Sequence, residues 1–398
     1  MQDHTRTRPL IDAALPDLRA IRRDLHAHPE IAYQEKRTSQ VVQRELRRLG
    51  IPFEAGRAGG TGVVAHLAAT SAADNAKPAV GLRADMDALP ITEATGLPYA
   101  STNPGFMHAC GHDGHTTILL GAARVLKDLH RPRPITLVFQ PAEEGGAGGK
   151  RLCDEGLIEG KIIGPRIERM YGLHGWPEFD LGVIGTRPGP LLASTDEMKV
   201  VITGVPSHAA QPHYARDPIV AMAACISACQ TVVSRNTSPF DSVVVSICLA
   251  NGGTARNIIP REATFQATLR CLLQQTRDAS RERLTAIVTH TAQAHGCTAE
   301  VSWHDGYPVT HNDPKLTDDF FSLADAWLGK DRVTRVETPT MGGEDFSFYA
   351  QQVPAVFFCL GLKPKGKDRY PYLHQPDFDF NDDAIPLGVE AFCRLATS

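Results

Sequence analysis

Ala79-Val-Gly-Leu-Arg-Ala-Asp-Met-Asp-Ala-Leu-Pro90, Cys110-Gly-His-Asp-Gly-His115 and Ile135-Thr-Leu-Val-Phe-Gln-Pro-Ala-Glu-Glu-Gly145 follow one another along the chain. The apolar run Ala79–Leu82 reads as a buried strand, and charge arrives as it ends. After His115 the residues Ile118, Ala122, Val125 and Leu129 fall on one face of a helix. The next strand, Ile135–Gln140, runs into a Gly-rich turn that carries Glu143 and Glu144. Strand, helix, strand, with ligand-type residues at the strand ends, is the pattern of an α/β sheet with its site at the carboxyl edge.

Upstream, Leu18, Ile21 and Leu25 recur at helical spacing. Val41, Val42, Leu46 and Leu49 do so again before Gly50 and Pro52 stop them. Thr61–Leu67 reads as a further strand. Downstream the pattern changes. Met198, Val200 and Ile202 alternate as a half-buried strand, and a helix follows with Asp217 at its cap and Pro218 in its first turn. Its expected inner face is Ile219, Met222, Ile226 and Val233. Ser242–Ala250 and Ala263–Cys271 read as strands, Leu284–Thr291 as a helix and Ala299–Trp303 as a last strand. That order is the ferredoxin-like split unit. The expected division is one domain from 1–187 with 304–398, and an inserted domain at 188–303. The final segment returns to the α/β pattern, with a strand at Ala355–Leu360 and a helix after Asn381.

Composition excludes several classes. The chain has 398 residues, and at roughly 150 residues per domain two or three domains are expected. Its net charge is −4 without a long basic block, so no nucleic-acid partner is expected. Met1–Pro9 is polar, with no apolar stretch for a signal peptide, and no run approaches the ~18 apolar residues of a membrane span. A cytoplasmic location and no membrane partner are the expectations. Nine cysteines, an odd number, are expected to be reduced thiols.

The chemistry rests on a set rather than on any one residue. Cys110-x-His112 offers a thiolate and an imidazole on a short turn before a helix, whose N-terminus would help ionise the thiol. The same pair also fits a buried cysteine beside a capping histidine. Glu143 and Glu144 can divide labour, one holding a metal and one accepting a proton from water, or can form a solvated acidic turn. His174 follows Met170-Tyr-Gly-Leu at an expected strand end, and His374 lies in Tyr372-Leu-His-Gln-Pro376. Cys110, His112, Glu144, His174 and His374 together are five donors, which suit a two-metal centre better than a closed four-ligand zinc site.

These segments resemble peptidase family M20, in its D branch of aminoacylase, hippurate hydrolase and auxin-conjugate hydrolase type. Arg23-Asp-Leu-His-Ala-His-Pro-Glu30, Leu82–Pro90, Met107–His115, Phe139–Gly145 and Leu173-His-Gly-Trp-Pro177 carry the resemblance. Ser207-His-Ala-Ala-Gln-Pro-His213, Asn257-Ile-Ile-Pro260, Gly343-Glu-Asp-Phe346 and Leu373-His-Gln-Pro376 continue it in the family's order over nearly the whole chain. The resemblance implies a zinc-peptidase-like catalytic domain with an inserted ferredoxin-like lid or dimerisation domain. It implies that Cys110, His112, Glu144, His174 and His374 hold two divalent ions (Zn, Mn, Ni or Co), Cys110 replacing a bridging aspartate of other branches. It implies that Glu143 is the general base and that His208 stabilises the oxyanion. Asp87 matches a carboxylate that supports the metal site and fits equally a strand-end cap. Arg256 and Asn257 resemble lid residues that meet the substrate. His108, Asp113 and His115 read as supports of the turn. The segment Gly204-Val-Pro-Ser-His208 departs from the family's Gly-rich lid motif.

The expected activity is hydrolysis of the amide bond in small N-acyl amino acids, by a homodimer or homotetramer. A dipeptidase or carboxypeptidase is the rival within the family. Cys110 as a thiol nucleophile would leave Glu143, Glu144, His174 and His374 idle. A binding protein on a dead scaffold would be expected to lack one of these groups, and all are present.

Overall fold

The computed structural model describes residues 4–398; Met1–Asp3 of the N-terminal stretch read above lie outside the described residues. The described chain divides into two compact units. One comprises residues up to Gly189 with His311–Thr338 and Asp345–Ser398, and the other Pro190–Thr310 with Pro339–Glu344.

The first unit is built on an eight-stranded mixed sheet. Its order is Phe53–Arg57, Gly62–Leu67, Ile135–Gln140, Ala79–Asp85, Ile167–Asp180, Ala355–Lys363, Ile184–Thr186 and Val333–Arg335. Ala79–Asp85 runs parallel to both of its neighbours, and Ala355–Lys363 runs parallel to Ile167–Asp180. The central strands bury both faces. They therefore read as continuous apolar runs, not as alternation. The helices Thr7–Ala27, His112–Asp128 and Ile385–Thr397 pack on one another and on the sheet, joining Leu18, Ile118, Leu120, Val125, Val389 and Phe392 in one core.

Two strands depart from the sequence reading. Ala79–Asp85 does not end at Leu82 but carries Arg83 and Asp85 inside the sheet, fully buried. The charges are tolerated because they are paired. Arg83 donates to Asp85 at 2.5 Å, to Asp345 at 2.8 Å and to the Gln140 side-chain oxygen at 2.9 Å. Ile167–Asp180 runs for 14 residues, so His174 sits in mid-strand and not at its end. Arg83 pairs with Gly172 across the sheet, which brings the last residue of the shorter strand, Asp85, level with His174. The edge of the site is where the neighbours stop.

The second unit is a four-stranded antiparallel sheet in the order Val243–Gly252, Glu262–Cys271, Ser194–Thr203, Thr298–Asp305. The helices Pro218–Cys229 and Gln274–Ala294 contribute to its core, and the order of elements is the ferredoxin-like split unit. The compact unit spans 190–310 and 339–344, where the sequence reading drew 188–303. Asp217 caps the first helix through the amides of Ile219 and Val220, with Pro218 at its first position. The inner face of that helix is Ala221, Met222, Cys225 and Cys229, while Ile219, Val220 and Val233 are exposed. The reading of Ile219 and Val233 as inward is thus corrected: the helix is apolar on two sides, and sequence periodicity cannot say which one meets the sheet. For the same reason Pro218–Asn236 is, by length and composition, apolar enough to cross a membrane, which the sequence reading did not single out. Its buried positions pack into the core of this unit.

Candidate metal centre

Gly111 precedes the helix that starts at His112, with φ at +86°, a conformation glycine adopts without strain. That turn sets Cys110 just outside the helix and His112 in its first turn. Cys110, His112 and His174 offer donor atoms that all lie within 4.8 Å of one another, and so do Cys110, Glu144 and His374. The two groups share Cys110 and together contain the five residues singled out from the sequence.

Hydrogen bonds fix how each donor is presented. Nδ1 of His174 donates to the Gly175 carbonyl at 2.8 Å, so the lone pair is on Nε2, which faces Cys110 Sγ at 3.3 Å. Neither ring nitrogen of buried His112 has a hydrogen-bond partner. Nδ1 lies 3.4 Å from Asp87, and Nε2 lies 3.8 Å from Asp85. His374 adopts φ +63°, donates its backbone N–H to the Ala109 carbonyl at 2.8 Å, and brings Nε2 to 3.1 Å from Glu144.

Electrostatics say what such a cluster calls for. Burial, reinforced by Glu144 and Glu143, pushes the Cys110 thiol well above its ordinary pKa. The help expected from the helix start does not by itself offset burial and the two glutamates. A thiolate here requires a cation beside it. Burial alone would lower the His112 pKa, but Asp85 and Asp87 outweigh burial and raise it to about 10. Burial, with His115 beside it, drives His174 well below its usual value and keeps its ring neutral, the form that ligates. Glu144 stays ionised despite burial because His374 and His112 stand next to it. A buried thiol, the buried His112 ring without hydrogen-bond partners, the neutral His174 ring and an ionised carboxylate fit a divalent cation.

Other side chains hold the donors in place. Asp87 accepts the backbone N–H of Glu143 on one oxygen and that of Glu144 on the other, each at 2.9 Å. It is therefore a support of the site and not only a strand-end cap. His115 also faces His112 and Asp85, but Nδ1 donates to Asp85 at 2.7 Å and Nε2 accepts the Gly175 amide at 2.7 Å. Both nitrogens are used, and His115 supports the turn as the sequence suggested. Asp113 does likewise, 2.8 Å from His26 Nδ1 and 3.2 Å from Arg22 Nε. Arg22, wholly buried, also pairs with Asp379 and Asp382, beyond His374 in the chain. His108 is buried with no hydrogen-bond partner at either ring nitrogen, so the support it gives is packing alone. Arg83, Asp85, Gln140 and Asp345 were missed. A charged pair inside an otherwise apolar strand was the available signal.

In the second unit, Ser207–His208 pairs antiparallel with Ile258–Ile259, and Ala209 N–H donates to the Asn257 carbonyl at 3.0 Å. This small ladder sets His208 opposite Ile258, the residue that follows Arg256 and Asn257 in the chain. The Ala210 amide donates to His208 Nδ1 at 3.0 Å, which leaves the proton of the neutral ring on Nε2.

A mixed sheet with a thiol, imidazole and carboxylate cluster at its edge defines a metal-dependent hydrolase of the α/β class. The chain belongs to peptidase family M20/M25/M40, whose profile matches residues 81–398, and it is an amidohydrolase of that family. An IAA-amino acid hydrolase of Arabidopsis thaliana is 37% identical over 383 residues, 95% of this chain and 84% of the relative. The N-acetyl-L-cysteine deacetylase of Bacillus subtilis is 38% identical over 368 residues, 92% of this chain and 84% of the relative. The YXEP protein of Bacillus subtilis, described as a dinuclear metal binding peptidase from the M20 family, superposes with a TM-score of 0.82. The two are 32% identical over 97% of this chain and 98% of that one.

Proposed function

We propose that the chain hydrolyses the amide bond of small N-acyl amino acids, releasing a carboxylic acid and a free amino acid. Cys110, His112, Glu144, His174 and His374 would hold two divalent ions, with Cys110 common to both. The observation that carries this reading is the pair of donor groups that share Cys110. Of the four candidate cations, one thiolate and three imidazoles favour Zn, Ni or Co over the harder Mn, and over Mg or Ca. The relatives named for N-acyl amino acid hydrolysis support the substrate class.

A cation bound there would lower the pKa of a coordinated water to about 7 and polarise the amide carbonyl. Glu143, buried and with its backbone fixed by Asp87, takes a proton from the attacking water and returns it to the leaving amine. His208 donates from Nε2 to the oxyanion that develops on the carbonyl. Arg256 and Asn257 receive the carboxylate of the amino-acid half. The second unit acts as the lid and as a dimerisation surface. Exposed Ile219, Val220, Val233, Phe240 and Leu249, the last on the edge strand Val243–Gly252, support a homodimer.

The test is a panel of N-acetyl and N-benzoyl amino acids and dipeptides with metal-loaded enzyme, repeated with a chelator. Turnover of the N-acyl amino acids, abolished by chelation and restored by a divalent cation, is expected. Faster cleavage of free dipeptides, or turnover that survives chelation, would overturn the assignment.

A further inference from the structure

Glu35 occupies the N-cap position of the helix Lys36–Leu49, yet its side chain makes no capping hydrogen bond to that helix. It is wholly buried. One carboxylate oxygen accepts the backbone N–H of Tyr33 at 3.0 Å and that of Ala142, 107 residues away, at 2.9 Å. The other accepts the hydroxyl of Thr61 at 2.7 Å. A buried carboxylate diverted from its own helix to a distant loop is a costly arrangement for packing alone.

The loop it reaches is the one that carries Glu143 and Glu144. Ala142 and Ala147 flank that pair in left-handed conformations, with φ of +56° and +54°, which an alanine adopts only under constraint. Tyr33 supplies a second hold. Its hydroxyl donates to the Gly146 carbonyl, and a Cβ on Gly146 would stand 3.0 Å from its ring. Arg151 lies over the same ring, 4.1 Å from its centre. The ends of the loop meet through the Gly148 amide, which donates to the Ala142 carbonyl at 3.2 Å. The segment Tyr33–Glu35 therefore grips the loop before Glu143 and again after Glu144.

We propose that Glu35 and Tyr33 are positioning residues for the reaction: they set the backbone conformation from which Glu143 and Glu144 are presented. This rests on the reading of Glu143 as proton acceptor and Glu144 as ligand.

The experiment combines hydrogen exchange at residues 142–147 with kcat, KM and metal content of Glu35→Ala, Glu35→Gln and Tyr33→Phe. In Glu35→Ala the Ala142 amide loses protection, and kcat falls by about 10²-fold with KM little changed, the size of effect a displaced group produces. Glu35→Gln keeps an oxygen for both amides and an NH2 group for the Thr61 hydroxyl, and recovers most of kcat. Tyr33→Phe keeps the ring and loses only the bond to Gly146; it loosens exchange at Gly146–Ala147 and lowers kcat less. Unchanged protection in the loop, or unchanged kcat in both Glu35→Ala and Tyr33→Phe, overturns the proposal. If Glu35→Ala does not fold, Tyr33→Phe decides alone. Glu143→Gln is assayed in parallel: full activity there would sink the catalytic reading itself, while loop exchange reports on positioning regardless.

Discussion

Cys110 Sγ and His174 Nε2 stand 3.3 Å apart, close to the separation of about 3.5 Å that a sulfur and a nitrogen adopt on one tetrahedral zinc ion. Both are buried, and the Nε2 lone pair faces the sulfur. Cys110→Ser should therefore lose most bound metal and nearly all activity while the fold survives. Elemental analysis after dialysis, with circular dichroism as the control for folding, checks this. A Cys110→Ser protein with a full metal complement would remove the sulfur from the ligand set.

The two adjacent glutamates should separate by metal content. Glu143→Gln keeps size and shape but deletes the proton acceptor, so kcat collapses with metal near normal. Glu144→Gln should lower metal content as well, because the amide is a weaker donor than an ionised carboxylate. Equal metal loss in both variants would show that the roles are not divided in this way.

His208→Ala should depress kcat by about 10²–10³, the cost typical of one oxyanion donor, with metal binding unchanged. Mixing inactive Glu143→Gln with inactive His208→Ala subunits asks whose site the histidine serves. Recovered activity means that it acts in the partner subunit, and none, in mixtures shown to exchange subunits, means that it acts in its own. Normal kcat in His208→Ala would exclude it from the mechanism.

His26 supplies a pH dependence of stability. Burial would lower its pKa, but hydrogen bonds to Asp113 and Glu93 prevail and raise it to about 9 from 6.5. A histidine with a raised folded pKa stabilises fully below its unfolded value. The contribution is lost as pH rises from about 6.5 through about 9, by up to about 1.4 kcal/mol per pH unit. Urea unfolding of the metal-free protein from pH 6 to 9.5 should show that decline, and His26→Gln should lessen it, leaving the share that His112, raised to about 10, contributes over the same range. An unchanged slope in His26→Gln would assign the dependence wholly to other groups.

The five candidate donors were legible because they sit in four short motifs, Cys110 and His112 sharing one, and the structure brings them into two overlapping groups. The sheet was legible for a similar reason: central strands buried on both faces, such as Ile135–Gln140, announce themselves as apolar runs. Phe53–Arg57 and Val333–Arg335 were not seen, since strands of five and three residues at a sheet edge leave little pattern. The supports were illegible on physical grounds. Asp87 reaches amides 56 and 57 residues away, and Arg83 reaches Asp345 across 262 residues. No local period records a bond that exists only after the sheet has formed. The exposed side of Pro218–Cys229 was misjudged for the opposite reason, because its sequence is apolar on both faces.

The left-handed backbone at His374 sets stability against function. Its φ of +63° is a conformation that glycine or asparagine accepts with less strain, yet either replacement removes the imidazole that faces Glu144. A library selected only for resistance to heat would be drawn toward such replacements. It would enrich well-folded protein with an empty ligand position, so thermostability campaigns on this scaffold need an activity gate at every round.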